Sequence, residues 1–437
     1  MDKKLNYGRT LLIGLAFMSI CSFWQIYDTI IPLMLKESFG LGETVTGAIM
    51  ALDNVLAVFL LPVIGTISDK IDTKLGKRTP FIVAGTALAI VFMLFIPIAD
   101  QARNLPLFVG ALFGVLVSMA LYRSPAVALM PDLTPNRLRS RANAVINLLG
   151  AIGGVYSLVM IKMLVGKGNR PNYEPLFISV AVIMLIAVLV LVLTIREKKL
   201  AAQVAMEEAV YSASENKKEN VEKTVKQDYK TAKLDPKVKR SMIFLLVSIF
   251  LWFTAYNAVT TAFSRYTSVV WKLEGGGFAD CLMVATVAAI LSYIPIGQLS
   301  SRIGRKKTII GGVAVMAACY LYAIFVTDYT PLMNVAFALI GISWAAINVN
   351  SYPMIVAMSQ GSDIGKYTGT YYTFSMAAQI ITPILSGFLL EKVSYRILFP
   401  YAVVFTCLAF LTMTQVKHGD VKPDKKKSMI EHFDVED

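Results

Sequence analysis

The sequence has little charge and few of the side chains that build catalytic or metal sites. Of its 437 residues, 16% are charged, whereas an average soluble protein has about 25%. The two histidines, His418 and His432, both lie in the charged C-terminal segment. The four cysteines are far apart, all in apolar segments, and form no CxxC motif: Cys21, Cys281, Cys319 and Cys407. The sequence therefore predicts no metal, no disulfide framework and no histidine-based catalysis.

Long apolar segments are what the sequence has instead. Mean hydropathy is +0.61, and the segment 175–195 contains no ionisable group, which is typical of a membrane-spanning helix. The first apolar segment is too long for a signal peptide and is expected to remain as a span. Because lipid offers the backbone no hydrogen-bond partners, we expect an all-α polytopic membrane protein. Twelve spans are predicted: 10–35, 44–67, 80–99, 106–130, 142–165, 175–195, 241–263, 279–299, 307–327, 331–353, 366–390 and 397–416.

The positive charges predict the orientation of these spans. If the N-terminus is cytoplasmic, 32 of the 42 lysines and arginines fall on the cytoplasmic side, nine fall on the opposite side, and Arg123 falls inside a span. The positive-inside rule therefore predicts that both termini are cytoplasmic. The net charge of +13 belongs to these loops, so no nucleic-acid partner is expected.

The polar segment 196–240 divides the chain into two sets of six spans. The predicted organisation is an N-terminal half (1–195), a cytoplasmic linker (196–240), a C-terminal half (241–416) and a cytoplasmic tail (417–437). The linker carries 12 basic and 8 acidic residues, and its composition favours a solvated surface helix. A plain linker is the main interpretation, and a regulatory docking segment is the alternative.

A loop motif occurs once in each half. The second span ends in GTISDKIDTKLGKR (65–78), and the eighth ends in GQLSSRIGRKK (297–307). Both resemble the loop motif of the major facilitator superfamily, which implies two six-helix halves with substrate between them. We interpret the motif as a gate at the cytoplasmic face, with topology anchoring as the alternative. The gating residues are predicted to be Gly65, Asp69, Gly76, Lys77, Arg78, Gly297, Arg302, Gly304 and Arg305.

Two longer stretches indicate a narrower resemblance. Residues 51–86 and 122–154 resemble the glycoside–pentoside–hexuronide:cation symporters, and within them the sucrose–proton symporter branch and its bacterial relatives. This resemblance implies sugar import coupled to a cation, in the cytoplasmic membrane of a bacterium. Melibiose-type members carry acids shortly before the proline of the second span, where they bind sodium. The corresponding residues before Pro62 contain no acid, so the proton is the expected coupling ion and no other cofactor is expected.

Two carboxylates lie inside apolar spans, Asp28 and Asp53. A charge at the bilayer centre costs roughly 2.5–3.5 kcal/mol on insertion scales, so such groups need a partner, water or a proton. We predict that Asp28 and Asp53 couple the proton, with preference for Asp28. For Asp28, which lies near Pro32, contact with extracellular water is the alternative. For Asp53, a permanent ion pair with Arg123 is an equally supported structural alternative.

Polar and aromatic residues in the same spans suit a sugar. Hydroxyl groups need side chains that donate and accept hydrogen bonds, and the C–H face of a sugar ring packs on aromatic rings. For each such residue alone, helix packing is the alternative role. The predicted substrate residues are Trp24, Gln25, Tyr27, Arg123, Asn147, Asn257, Trp344, Asn348 and Gln379.

The sequence therefore predicts a monomeric secondary active transporter in the lipid bilayer rather than an enzyme. It is expected to import a glucoside-type sugar, a disaccharide such as sucrose or maltose, by proton symport through alternating access. No Walker motif for ATP-driven transport is present. The alternatives are an uncoupled facilitator or exporter of amphipathic solutes in the same fold, and a transporter-like nutrient sensor.

Overall fold

The computed structural model describes residues 5–135, 138–168, 171–219, 235–358 and 364–420. Within these ranges all regular secondary structure is helical. The first half contains α1 (Tyr7–Glu37), α2 (Glu43–Lys70), α3 (Thr79–Gln101), α4 (Leu105–Asp132), α5 (Arg139–Leu164) and α6 (Glu174–Thr194). Then follow α7 (Glu197–Glu219), α8 (Pro236–Val270), α9 (Ala279–Ile303), α10 (Arg305–Ile324), α11 (Leu332–Met358), α12 (Ile364–Lys392) and α13 (Leu398–Thr414).

Twelve of the described helices are long and apolar enough to cross a membrane, namely all except α7. They confirm the predicted spans, with most ends displaced by a few residues. Helix α8 begins at Pro236 rather than 241, because the Asp235 side chain accepts a hydrogen bond from the Lys237 N–H (2.9 Å) and caps it. Helix α7 occupies the start of the predicted linker, while 220–234 and the tail from 421, including His432, lie outside the described residues.

In lipid the hydrophobic effect does not drive helices together, so they associate through close van der Waals packing, which small residues permit. A Cβ atom on Gly153 of α5 would lie 2.1 Å from the Met18 carbonyl oxygen of α1. The outer faces are apolar as well: on α6, Leu185, Leu189 and Leu193 are all exposed. A helix that is apolar on every side fits a position between protein and lipid.

The molecule has two faces, which we name by the chain ends. The terminal face holds the start of α1 and the end of α13, and the distal face is opposite. Near the distal face the halves pack together through α2 with α12, α5 with α9 and α1 with α8. A Cβ on Gly47 of α2 would lie 2.0 Å from the Pro383 carbonyl oxygen of α12, so this contact excludes any larger side chain. The halves are therefore closed against each other at the distal face.

Candidate functional site

A cavity of about 890 Å³ lies between the two halves. Its lining comes from α1, α2, α4 and α5 of the first half and from α8, α11 and α12 of the second. The lining residues extend from the middle of these helices towards the terminal face. Since the distal face is closed, the cavity is accessible from the terminal face, and its volume is that of a typical small-molecule site.

Four of the nine predicted substrate residues line this cavity: Arg123, Asn147, Asn348 and Gln379. They come from four helices, two in each half. Asn143, Tyr371 and Tyr372 also line it, so amide and hydroxyl groups face the space from both halves. The cavity can thus form hydrogen bonds to a polar molecule from two sides.

Trp24 and Trp344, which were predicted to bind substrate, lie behind the residues that line the cavity. The Trp24 ring lies 5.9 Å from the Arg123 guanidinium carbon, a cation–π contact that supports this arginine from α1. The Trp344 ring stacks on Tyr256, with ring centroids 3.7 Å apart, and meets the edge of Phe253 at 5.2 Å. Phe253 lines the cavity, so Trp344 supports the wall rather than forming it.

The other three predicted substrate residues are not in the lining either. Tyr27 is buried, and its hydroxyl donates to the Met50 carbonyl (3.1 Å), so it joins α1 to α2. Gln25 lies against Gly154 of α5, where its Oε1 is 3.5 Å from the position of an added Cβ. The Asn257 side-chain nitrogen is buried without a hydrogen-bond partner among the described residues, as is the Trp24 ring nitrogen.

The two intramembrane carboxylates, Asp28 and Asp53, are half-buried and near enough to interact electrostatically. Asp53 accepts a hydrogen bond from the Asn54 side chain (2.8 Å), and Asn54 lines the cavity. Within the described residues Asp53 forms no ion pair with Arg123 inside 4.0 Å. Asp53 lies on the distal side of the middle of α2 and Arg123 on the terminal side of the middle of α4, so their depths differ. The permanent pair considered from sequence is thus not formed in this conformation.

The first copy of the loop motif connects three helices at the terminal face. Arg78 forms an ion pair with Asp69 at the end of α2 and another with Asp132 at the end of α4 (2.8 Å). Burial lowers the pKa of Arg78, but its hydrogen bonds to Asp132 and Asp69 outweigh burial and raise the pKa above its ordinary value. Arg78 therefore holds the ends of α2 and α4 beside the start of α3. Upstream, a Cβ on Gly65 would lie 3.2 Å from the Ser124 hydroxyl, which marks a close approach of α2 to α4.

Glu197, which the sequence analysis did not single out, caps α3. Its buried carboxylate accepts hydrogen bonds from the backbone N–H groups of Lys77 (2.7 Å), Arg78 (2.9 Å) and Thr79 (2.8 Å). Gly76 has a φ of 121°, and a Cβ there would lie 2.3 Å from the carboxylate. A negative charge at a helix N-terminus is stabilised by the helix dipole and the free N–H groups. The start of α7 is thereby fixed to the first half.

The second copy of the motif has the same arrangement with a different acid. The Asp420 side chain, which follows α13, accepts from the Lys306 N–H (3.0 Å) at the start of α10. Gly304 has a φ of 97°, and a Cβ there would lie 2.8 Å from Asp420. Ser301 replaces the acid of the first copy, and among the described residues its hydroxyl donates only to the Gln298 carbonyl of its own helix. Of the other predicted gating residues, Gly297 is buried in α9, Arg302 is exposed, and Arg305 reaches the Pro353 carbonyl at 3.5 Å.

A buried charge cluster at the distal face also escaped the sequence analysis. Arg265 of α8 donates to Glu43 of α2 (2.7 Å), and each side chain is only 4% exposed. Lys36 lies 3.5 Å from the Glu43 carboxylate, and the Tyr395 hydroxyl donates to it. Because Arg265 and Tyr395 belong to the second half, this distal cluster joins the two halves.

Comparison with known proteins identifies the architecture. The sequence model of the Major Facilitator Superfamily matches residues 13–279 and again 271–432. The chain belongs to the major facilitator superfamily. Membership confirms the predicted fold and shows that this superfamily member is a multi-pass membrane transporter rather than an enzyme.

Solved structures show the same superfamily fold. An inward-open structure of the xylose transporter XylE from E. coli is 12% identical, with a TM-score of 0.66 over 97% of this chain and 98% of that one. The nucleoside transporter NupG is 14% identical, with a TM-score of 0.68 over 94% and 100%. The peptide transporter POT, in complex with sulfate, is 13% identical, with a TM-score of 0.66 over 94% and 93%. At these identities the likeness establishes the fold and not the substrate.

A curated relative is similar to this chain over a shorter length. The chloramphenicol resistance protein CraA of Acinetobacter baumannii is 29% identical over 163 residues, which cover 37% of this chain and 37% of that protein. The alignment spans well under half of the relative.

Proposed function

We propose that this transporter imports a glucoside-type disaccharide, such as sucrose or maltose, by proton symport. The observation that carries the proposal is the cavity between the halves, lined by amide and hydroxyl side chains from both. Its opening lies at the face that the charge distribution predicts to be cytoplasmic. The conformation is thus the one from which an imported substrate leaves.

The chemistry of the lining supports a polyhydroxylated substrate. Asn147, Asn348 and Gln379 each offer a donor and an acceptor, which is what a sugar hydroxyl requires. Phe253 and Tyr372 line the same space and offer rings against which the C–H face of a sugar can pack. A disaccharide fits the volume with room for water.

The coupling part of the proposal depends on Asp28 and Asp53. Asp53 is connected to the cavity through its hydrogen bond to Asn54, which lines it, and Asp28 interacts electrostatically with Asp53. A carboxylate at this depth in the membrane is costly when it is charged and unpaired. Protonation of the carboxylate is therefore favourable when bound substrate and closure of the cavity exclude water from it. Substrate and proton binding are then linked reciprocally.

An exporter of amphipathic solutes is the second candidate, and the similarity to CraA favours it. Apolar side chains such as Phe17, Ile146 and Met130 form part of the lining. The two candidates differ in the direction in which a pH gradient drives transport and in the class of solute.

Proteoliposomes with an imposed pH gradient, acidic outside, test the proposal. We expect labelled sucrose or maltose to accumulate above its external concentration and to equilibrate when the gradient is collapsed. Equilibration of sugar in both cases would indicate a facilitator. Extrusion of an amphipathic dye without any sugar uptake would support the exporter.

A further inference from the structure

The charge of the cavity lining has one sign. Arg123 and Arg139 line it, and no aspartate or glutamate of the described chain is among the lining residues. Arg139 lies at the terminal-face mouth and donates to the carbonyls of Pro131 (3.0 Å) and Thr134 (3.3 Å). These carbonyls are neutral, so the charge of Arg139 remains at the mouth.

Arg123 lies deeper and faces the space where substrate binds. It is half-buried, and within the described part of the chain no carboxylate lies within 4.0 Å of its guanidinium. Its support is the Trp24 ring, which leaves the outer side of the guanidinium directed at the cavity. Asp53 interacts with it only through space and has Asn54 as its hydrogen-bond partner. The cavity thus offers a guanidinium that no neighbouring acid occupies.

We infer that the preferred glucoside carries a carboxylate or phosphate group, which the Arg123 guanidinium binds. This inference rests on the proposed function and narrows its substrate class. Arginine presents a planar set of donors that matches the oxygens of these anions in pairs, and such charged bonds are about twice as strong as neutral ones. A guanidinium partly removed from water gains more from an anion than from a neutral hydroxyl. The amides around it then hold the hydroxyl groups of the sugar.

Competition in the wild-type protein tests the preference directly. The probes are maltose, the maltose analogue whose reducing glucose is oxidised to a carboxylate, and maltose 6′-phosphate, each competing with labelled maltose for uptake into proteoliposomes. We expect at least one anionic analogue to compete about tenfold better than maltose, as for one charged hydrogen-bonded contact. Comparison of the two anionic analogues distinguishes a carboxylate site from a phosphate site.

Variants at Arg123 assign the preference to this residue. Arg123→Gln is expected to remove the tenfold difference between the anionic analogue and maltose. Arg123→Lys retains the positive charge without the paired donors, so we expect it to keep part of that difference. Arg240→Gln is the matched control, because Arg240 also lies near an aromatic ring (5.7 Å from Phe244) but does not line the cavity.

Several outcomes would overturn the inference. Equal competition by maltose and both anionic analogues in the wild type overturns the preference alone, as does a preference that persists in Arg123→Gln. The wild-type comparison decides this even if Arg123→Gln does not fold. Failure of all three sugars to be transported overturns the proposed function, and the preference falls with it.

Discussion

At the scale of single residues, Asp28 lies in the same part of α1 as the aromatic ring that supports Arg123. It is one helical turn from Trp24 and near enough to Asp53 of α2 to interact with it electrostatically. In the proposed symport mechanism, a proton on Asp28 and a sugar beside Arg123 would therefore lie near each other, and each would change the environment of the other.

Asp28→Asn removes the titrating group and keeps its shape. We predict that the variant no longer concentrates sugar under a pH gradient, so the ratio of internal to external sugar falls to about one, because no proton is carried. Exchange of internal for external labelled sugar is expected to survive, since exchange needs no net proton movement. Asp328→Asn, at an exposed position on the distal face, is the control and is expected to leave accumulation unchanged. Continued accumulation by Asp28→Asn would make Asp53 the leading coupling residue.

The contrast between a polar side chain and the apolar span around it explains which site residues could be predicted from the sequence. Arg123, Asn348 and Gln379 are visible because polar groups inside apolar spans are rare. The aromatic residue Tyr27 was misplaced, because α1 is apolar on most sides and its sequence does not indicate which side faces the cavity. Glu43 and Arg265 were missed for a different reason. Charges near span ends are ordinary, and these partners are 222 positions apart.

At the scale of helices, the two motif loops are held by acids that follow the last helix of each half. Glu197 caps α3, and Asp420 caps α10. The sequence repeat predicted the glycines and basic residues of both loops but not their acidic partners. Glu197 is about 120 positions from the N–H groups that it binds, and no local pattern connects them.

Glu197→Gln tests the cap on α3. The amide retains one acceptor oxygen and loses the charge, so we predict a loss of about 2 kcal/mol in the stability of this contact, as for a hydrogen bond to a charged group. The measurement is hydrogen exchange at the N–H groups of 77–79, which is expected to become more than tenfold faster. The start of α10 is an internal control and is expected to exchange at its wild-type rate. Equal rates at 77–79 in both proteins would show that the cap contributes little.

Asp69→Asn tests the first motif as a gate. Asp69 is 62% exposed, and Arg78 keeps its bond to Asp132, so we expect a stability loss below about 1 kcal/mol. Sugar affinity in detergent is expected to stay unchanged, because Asp69 lies outside the cavity, while the rate of sugar exchange falls. A large loss of affinity with a normal exchange rate would exclude Asp69 from gating.

At the scale of the whole molecule, the observed state is defined by what joins the halves at the distal face. The distal cluster around Glu43 and the contact of Gly47 with Pro383 close one side. Thr44 adds hydrogen bonds from its N–H (2.9 Å) and its hydroxyl (2.7 Å) to Glu391 of α12. If transport proceeds by alternating access, as we propose, opening the distal side requires these contacts to break, and their free energy then sets the balance between the two states.

Glu43→Gln is predicted to shift the protein towards the state that is open at the distal face. Without the carboxylate, Arg265 is left buried and unpaired, which destabilises the closed distal side, whereas opening returns Arg265 to water. A change of about 2 kcal/mol would alter the ratio of the two states about 30-fold. The measurement is the distance between spin labels at Ala102 and Thr330, which are exposed positions on the distal side of the two halves. In Glu43→Gln we expect a larger fraction of molecules with a long distance between the two labels. Glu274→Gln, at an exposed position in the loop after α8, is the matched control and is expected to leave the distance distribution unchanged. An unchanged distance distribution in Glu43→Gln would show that helix packing alone keeps the distal face closed.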